Sequence, residues 1–160
     1  MTHGLDDDTD ALLVRLLAAD GRATLATLAA EAGLSVSAVQ ARVRRLESRG
    51  VITGYAAAVD LEALGLPLAA FVAITPLDPA QPDDAPQRLV DVGAIEACYS
   101  VAGKEHYLLL VRAASPRALE GVLQEIRARA NVATRTTIVL QTFFERRPTA
   151  IAGDFPAGTV

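Results

Sequence analysis

The chain has 160 residues, of which 51% are hydrophobic and 21% are charged, and its formal net charge is −4. This composition excludes an intrinsically disordered chain and allows one domain or two small ones. No apolar run approaches the ~20 residues that a membrane-spanning helix needs. The acidic N-terminus lacks the basic and then apolar order of a signal peptide, so we predict a cytoplasmic protein that does not contact a membrane.

Residues that carry enzyme chemistry are scarce. Cys98 is the single cysteine, and the two histidines, His3 and His106, are far apart in the sequence. This count predicts no internal disulfide and no metal site. The sequence also lacks a phosphate-binding G-x-x-x-x-G-K-[ST] loop, a dinucleotide-binding G-x-G-x-x-G turn and a plausible serine–histidine–aspartate set. We therefore predict that the protein is not an enzyme and uses no cofactor.

Three helices are predicted before residue 50, from apolar residues that recur at helical spacing. They cover residues 8–19, 24–33 and 35–50. Thr24 and Ser35 are N-cap residues for the second and third helices, and Gly33 ends the second. A short glycine-containing turn before a basic helix is typical of the helix-turn-helix motif. Residues 51–55 are predicted to form a short strand with a turn, which gives a winged helix-turn-helix domain over residues 1–55.

The third helix is basic although the chain is acidic. Residues 35–50 contain four arginines and one glutamate, a net charge of +3. Charges are felt over only about 8–10 Å in salt, so a basic helix on an acidic protein can still bind DNA. One stripe of the helix is apolar, and the opposite side is polar. A charged helix face is also typical of simple solvation, so three helices that only pack together remain the alternative at this point.

The rest of the chain predicts a linker strand over residues 56–67, a second domain over 68–147 and a flexible tail over 148–160. The second domain has strands at 68–75, 95–102, 106–114 and 132–143, and helices at 83–91 and 115–130. The order β-α-β-β-α-β is the ferredoxin-like arrangement, so the fold class is α+β. The strands are apolar on both sides, while both helices cover one face of the sheet. We therefore expect a second copy of the chain to cover the other face.

The ordered motifs of the first domain resemble the Lrp/AsnC family of transcription regulators, and its actinobacterial members in particular. The matching stretches are residues 20–24 (DGRAT), 33–37 (GLSVS), 42–47 (RVRRLE) and 50–52 (GVI). A looser match follows at residues 98–103 (CYSVAG), 107–109 (YLL) and 134–140 (TRTTIVL). The resemblance implies a DNA-binding domain and an effector-binding domain that resembles ACT domains. It also implies homodimers that assemble into higher oligomers, commonly octamers.

The resemblance implies that residues 35–49 form the recognition helix. On the outward face of that helix, base edges would be met by Ser37, Gln40, Ala41 and Arg44. Phosphates would be held by the flanking Arg42, Arg45 and Arg49, and by the backbone amides of Thr24 and Ser35 at helix N-termini. Arg42 lies nearer the apolar stripe than the other arginines, so a structural role is the alternative for this residue.

The resemblance also implies an effector site at the turn between the second and third strands, completed by a neighbouring subunit. One side would consist of Tyr99, Ser100, Val101, Ala102, Gly103 and His106, and the other of Thr134, Arg135 and Thr136. Backbone amides near Gly103 and the charge of Arg135 suit the carboxylate of an amino acid.

His106 departs from the family, many of whose members have an acidic residue there that can hold an α-amino group. Four explanations stay open. The ammonium is held by backbone carbonyls and Glu105, the specificity differs, the site is vestigial, or His106 is simply a residue of the turn.

Two functions are compatible with the sequence. The first is a transcription regulator that binds double-stranded DNA and responds to a small effector, expected to be an amino acid. The second is an amino-acid-binding sensor that does not bind DNA. Steeply salt-dependent binding to DNA would distinguish the regulator from the sensor.

Overall fold

A computed structural model describes residues 7–145, which form two compact units. The first unit contains residues 7–58 together with 144 and 145, and the second contains residues 59–143. The units contain the predicted helical domain and the predicted α+β domain. The predicted tail over residues 148–160 lies outside the described residues. Among residues 7–145, no helix is both long and apolar enough to cross a membrane.

The first unit consists of helices α1 (Asp8–Ala19), α2 (Leu25–Ala32) and α3 (Val36–Ser48). All three predicted helices are confirmed. The side chains of Asp7, Thr24 and Ser35 cap the three N-termini by accepting a hydrogen bond from the backbone N–H three residues later. Gly33 ends α2 with a φ of 65°, a left-handed conformation that favours glycine. This turn allows α3 to begin only three residues later, at Val36.

The core of the first unit is small. It consists of the buried apolar residues Leu13, Leu28, Ala29, Val39, Val43 and Leu46. Three of these lie on one stripe of α3, as the spacing predicts, and they fix which side of α3 faces solvent. The position of α3 therefore follows from the burial of Val39, Val43 and Leu46.

The segment between the two units differs from the prediction, because residues 51–67 form no strand. A strand requires a neighbour, and residues 53–59 have no backbone hydrogen bond to any described segment. Residues 60–66 instead form a turn closed by hydrogen bonds from Leu64 N–H to the carbonyl of Asp60 and from Leu66 N–H to that of Leu61. Neither the short strand at 51–55 nor the linker strand at 56–67 is present.

The second unit is a four-stranded antiparallel sheet with two helices on one face, which confirms the predicted ferredoxin-like order. Its strands are β1 (Leu68–Pro76), β2 (Ile95–Ser100), β3 (Tyr107–Ala113) and β4 (Val132–Ile138). Its helices are α4 (Ala85–Leu89) and α5 (Pro116–Ala130). The strand order in the sheet is β2-β3-β1-β4, so the first and third strands of the chain are central.

Several predicted boundaries in the second unit are wrong. β4 ends at Ile138 rather than at 143, because Ile138 pairs with Ala70 near the start of β1 and only Val139 N–H still bonds to the carbonyl of Ala69. β2 ends at Ser100 rather than at 102, because the turn to β3 begins there. The helix predicted over 83–91 is reduced to the five residues of α4.

The sheet has two different faces, set by the alternation of side chains along each strand. Toward α4 and α5, the core includes Val72, Ile74, Leu109, Val111 and Ile126, all fully buried. Neither helix of the second unit packs on the opposite face, which we call the open face. Its largest apolar side chains are Phe71, Tyr99, Leu108 and Leu110, and Phe71 and Tyr99 are exposed.

Candidate DNA-binding surface and ligand pocket

The polar side of α3 is accessible over most of its length. Ser37, Gln40, Ala41 and Arg44 are all exposed, and they lie opposite the buried stripe of the helix. Arg44 has no hydrogen bond or ion pair with any described residue. These four side chains present donors, acceptors and a methyl group on one helix face, the chemistry that reads base edges in a major groove.

The N-terminal ends of α2 and α3 use their hydroxyl groups internally. Thr24 Oγ1 accepts from the backbone N–H of Thr27 at 3.1 Å, and Ser35 Oγ accepts from that of Ala38 at 3.2 Å. The Ser35 hydroxyl also lies 3.1 Å from the hydroxyl of Ser37. These side chains therefore orient the helix ends, and the backbone N–H groups there remain the donors for an anion.

Two arginines of α3 form ion pairs with α1. Arg42 Nη1 lies 2.8 Å from Asp7 Oδ2 and 2.7 Å from Asp10 Oδ1, and Arg45 Nη2 lies 2.6 Å from Asp10 Oδ2. The side chain of Asp10 is 0% exposed, whereas those of Arg42 and Arg45 are 28% and 44% exposed. We call Asp7, Asp10, Arg42 and Arg45 the ionic cluster. These contacts support the structural role that the sequence left open for Arg42.

Contacts within the ionic cluster shift the pKa values of Asp7 and Arg42. The pKa of Asp7 is held below its ordinary value by the hydrogen bond from the backbone N–H of Asp10, and further by Arg42. The pKa of Arg42 is raised by its hydrogen bonds to Asp10 and Asp7. Both shifts favour the charged forms, so Asp7 and Arg42 stay ionised over the physiological range.

The end of α3 is linked to the segment that follows it. The hydroxyl of Tyr55 donates to Glu47 Oε1 at 2.9 Å, and partial burial followed by this hydrogen bond raises the pKa of Tyr55. Arg49 is the C-cap residue and is half-buried. The carboxylate of Glu47 near the end of α3 therefore accepts a hydrogen bond from an uncharged group, the Tyr55 hydroxyl.

A pocket of about 440 Å³ lies on the open face of the second unit, next to the turn between β2 and β3. Its lining residues are Phe71, Ala73, Val101, Ala102, Gly103, Glu105, Leu108, Arg135 and Thr137. Arg135 Nη2 forms an ion pair with Glu105 Oε1 within this lining. A volume of this order is enough for a small ligand. The pocket therefore combines one positive group, one negative group and an apolar wall.

The pocket brings together four of the nine residues predicted for an effector site, namely Val101, Ala102, Gly103 and Arg135. Thr134 and Thr136 are not part of it, because they pair with Ile74 and Val72 and so lie on the helix-covered face. Arg127 Nε of α5 donates to Thr134 Oγ1 at 3.0 Å, which agrees with this placement.

Three further predicted residues also lie outside the pocket lining. Tyr99 is on the open face beside Leu108, and Ser100 pairs with Tyr107 on the helix-covered side. His106 is exposed in the turn, where its backbone N–H bonds to the carbonyl of Ile74. The acidic group that faces the pocket is Glu105 rather than a residue at position 106.

The sequence prediction did not include Phe71, Ala73, Leu108 and Thr137. Strand register places them, since Phe71 pairs with Thr137, and Ala73 pairs with both Leu108 and Arg135. The alternation around Arg135 alone would have identified Thr137 as a residue on the same face. In the part of the chain that the structure describes, no group of three or more His, Cys, Asp or Glu residues is arranged to hold a metal ion.

Family models match both units of the chain. The AsnC-type helix-turn-helix domain matches residues 7–47, and the Lrp/AsnC ligand binding domain matches residues 69–149. The HTH-type transcriptional regulator LrpA of Mycobacterium tuberculosis is 67% identical over 141 residues, which cover 88% of this chain and 94% of the relative.

Solved structures show the same architecture. A feast or famine regulatory protein from M. tuberculosis, complexed with L-methionine, is 67% identical and has a TM-score of 0.87, with 88% of this chain and 96% of that chain covered. LrpC of Bacillus subtilis is 29% identical with a TM-score of 0.80, over 88% of this chain and 99% of that chain.

These relatives are regulators, and both units of the chain match the family in order. The prediction that the chain is a DNA-binding regulator rather than an enzyme is confirmed. The chain belongs to the Lrp/AsnC family of transcriptional regulators.

Proposed function

We propose that this regulator inserts α3 into the major groove of duplex DNA and binds an amino acid in the pocket on the open face. The observation that carries the proposal is the exposed face of Ser37, Gln40, Ala41 and Arg44, which lies opposite a buried apolar stripe. In helix-turn-helix proteins the second helix of the motif enters the groove with such a face. Because it acts on chromosomal DNA, we place it in the cytoplasm.

Base edges are contacted by Arg44 and Gln40, the longest polar side chains on this face. Arginine and glutamine can form paired hydrogen bonds with guanine and adenine, respectively. Phosphate contacts come from Arg49 and from the backbone N–H groups at Thr24 and Ser35. Side chains in the middle of α3 therefore read the base sequence, and contacts from the helix ends to phosphates fix the position of α3 along the DNA.

The charges and apolar wall of the pocket suit a zwitterion with an apolar side chain. Arg135 binds the α-carboxylate and Glu105 binds the α-ammonium, so the ligand replaces one ion pair with two. The side chain of the ligand packs on Phe71, Ala73 and Leu108, a wall without charge. Support comes from the M. tuberculosis regulatory protein that was crystallised with L-methionine, an amino acid of this type.

The open face supports assembly into a homodimer. Phe71 is 39% exposed, and its register partner Leu110 is only half-buried beside it. Apolar sheet faces of this kind are covered in stable proteins, and a symmetric pair of chains covers both faces at once. The dimer then carries two copies of α3 for two half-sites about 34 Å apart, and further association of dimers extends the DNA contact.

The DNA part is tested by selecting a binding site from a random duplex library and measuring affinity by fluorescence anisotropy. We expect Arg44→Ala and Gln40→Ala each to weaken binding to the selected site by about 1–3 kcal/mol. Arg117→Ala, an exposed arginine of α5, is the control with the same change of charge. Equal affinity of all three variants and the wild type would contradict the assignment of this face.

The ligand part is tested by calorimetry with each of the common amino acids. A Cβ at Gly103 meets no atom within 4 Å, so Gly103→Thr fills the pocket lining without disturbing the fold. Gly93→Thr, at another glycine with open space, is the matched control. We expect at least one amino acid to bind the wild type and the control, and to lose its affinity for Gly103→Thr. Unchanged binding in Gly103→Thr would place the ligand elsewhere.

A further inference from the structure

The ionic cluster determines how much of the positive charge of α3 is available to DNA. Four arginines are present between residues 35 and 50, but two of them, Arg42 and Arg45, face carboxylates of α1 at 2.6–2.8 Å. Within the cluster two positive charges meet two negative charges. On the exposed face of α3, positive charge is therefore carried by Arg44, which has no hydrogen bond or ion pair with any described residue.

The burial of Asp10 makes this arrangement difficult to exchange. Asp10 is the one buried charged residue in the described part of the chain, and each of its carboxylate oxygens accepts from a different arginine. An arginine that turned toward a DNA phosphate would leave this carboxylate partly uncompensated in the interior. Such a buried, unpaired charge is strongly unfavourable, whereas a phosphate contact at the surface is partly screened.

We propose that Asp10 is a positioning residue for DNA binding, which holds α3 against α1 and keeps Arg42 and Arg45 away from the phosphate backbone. The inference rests on the proposed DNA contacts and refines them, since it removes two arginines from the predicted phosphate set. The role of Asp7 is to complete the neutralisation of Arg42 from the N-cap of α1. Affinity for DNA of unrelated sequence is thereby kept low, because it depends on the number of phosphates neutralised.

The salt dependence of binding to mixed-sequence duplex DNA tests the proposal. The slope of log K against log salt falls by about 0.9 for each phosphate contact that is lost. We expect Arg44→Gln to reduce the slope by about this amount, because Arg44 is unpaired and lies against phosphate in a non-specific complex. Arg42→Gln and Arg45→Gln should leave the slope within a quarter of that value, roughly 0.2. All three variants lose one positive charge, so general electrostatics is matched.

The slope separates positioning from simple stability where circular dichroism shows the same folded fraction at every salt concentration, because a constant folded fraction lowers affinity equally throughout the series. Asp10→Asn provides the reverse test, and where circular dichroism shows that it folds, its slope should rise above that of the wild type. If Asp10→Asn does not fold, the comparison of the three arginine variants decides alone. A loss of slope in Arg42→Gln or Arg45→Gln equal to that in Arg44→Gln would overturn the proposal. A wild-type chain with no salt-dependent DNA binding would overturn both this inference and the proposed function.

Discussion

Two of the arginine–carboxylate groups in the described chain, the ionic cluster and the pair in the pocket, differ in the burial of the carboxylate. In the ionic cluster of the first unit, Asp10 is 0% exposed and holds two arginines. In the pocket of the second unit, Glu105 is 21% exposed and its partner Arg135 is 69% exposed. The first pair is fixed by the cost of leaving a buried charge unpaired, and the second can be exchanged for a ligand. Burial of the acidic partner therefore indicates which arginine is structural and which can bind.

The same contrast appears in the cores. The first unit has six buried apolar residues in its core, so the ionic cluster is a large part of what connects α1 to α3. The second unit buries fifteen residues between its sheet and its helices, and it does not depend on the ion pair in its pocket. The stability of the DNA-binding unit therefore depends on ion pairs that also set the charge of α3. The stability of the ligand-binding unit comes mainly from its apolar core, and its pocket charges contribute little.

The largest effect is expected for Asp10→Ala, which should destabilise the first unit by about 3 kcal/mol. This is the lower end of the cost of breaking a buried ion pair, since both arginines stay partly exposed. Urea unfolding followed by circular dichroism measures the change. Asp8→Ala, an exposed acidic residue in the same helical turn, is the control. A difference below about 1 kcal/mol between the two variants would show that the cluster is no more than a surface ion pair.

An intermediate case is Tyr107, a buried residue whose hydroxyl donates to Asp83 Oδ1 of an exposed loop at 2.7 Å. This hydrogen bond, followed by burial, raises the pKa of Tyr107 from 10.0 to about 12. A raised pKa in the folded state gives stability that is fully present below pH 10 and is lost as pH rises toward 12. Tyr107→Phe should be less stable than the wild type at pH 8, and the difference should shrink through this window.

Urea unfolding at a series of pH values between 8 and about 11 follows this difference, since the window begins at the ordinary tyrosine pKa of about 10. If the stability difference between the wild type and Tyr107→Phe stays constant across the series, the hydrogen bond that the Tyr107 hydroxyl donates to Asp83 does not stabilise the fold. Tyr99→Phe is the control, because it removes a tyrosine hydroxyl that makes no side-chain hydrogen bond with the described residues.

The smallest effect on stability is expected for Glu105→Gln, which removes the negative charge of the pocket. An exposed ion pair contributes about 0–1 kcal/mol, so the free energy of unfolding should change by no more than that. The affinity for the amino acid should nevertheless fall, because the ammonium loses its charged acceptor. Glu120→Gln removes a carboxylate from a surface pair of α5 and serves as the control. A large loss of stability in Glu105→Gln would remove the distinction between the two arginine–carboxylate groups.

The recognition helix could be predicted from the sequence because its N-cap and its apolar stripe are set by residues close to one another along the chain. Ser35 as N-cap and the stripe through Val39, Val43 and Leu46 follow from local spacing alone, and both are observed. The ion pair between Arg42 and Asp10 joins residues 32 positions apart, so no local pattern identifies it. The sequence indicated only that Arg42 lies close to the apolar stripe.

The pocket was predicted less completely, since it combines residues from three strands and a turn. The family motif covered Gly103 and Arg135 together with their neighbours in sequence. Alternation along β4 then places Thr134 and Thr136 on the opposite face, a consequence that the sequence already contained. Phe71 enters the pocket through the pairing of β1 with β4, which required the strand register. Similarly, β4 is shorter than predicted because its pairing with β1 ends near the start of β1, where Val139 N–H makes the last bond, to the carbonyl of Ala69.

A regulator that responds to an effector couples its ligand pocket to its DNA-binding unit, and one coupled titration measures this coupling most directly. The affinity of the full chain for its selected duplex is measured with and without each amino acid that binds in calorimetry, for the wild type and for Gly103→Thr. Coupling between two sites is typically a 5- to 150-fold change, so we predict a change of at least about fivefold in the wild type and none in Gly103→Thr. An equal change in both proteins, or no change with any amino acid that binds, would contradict this account.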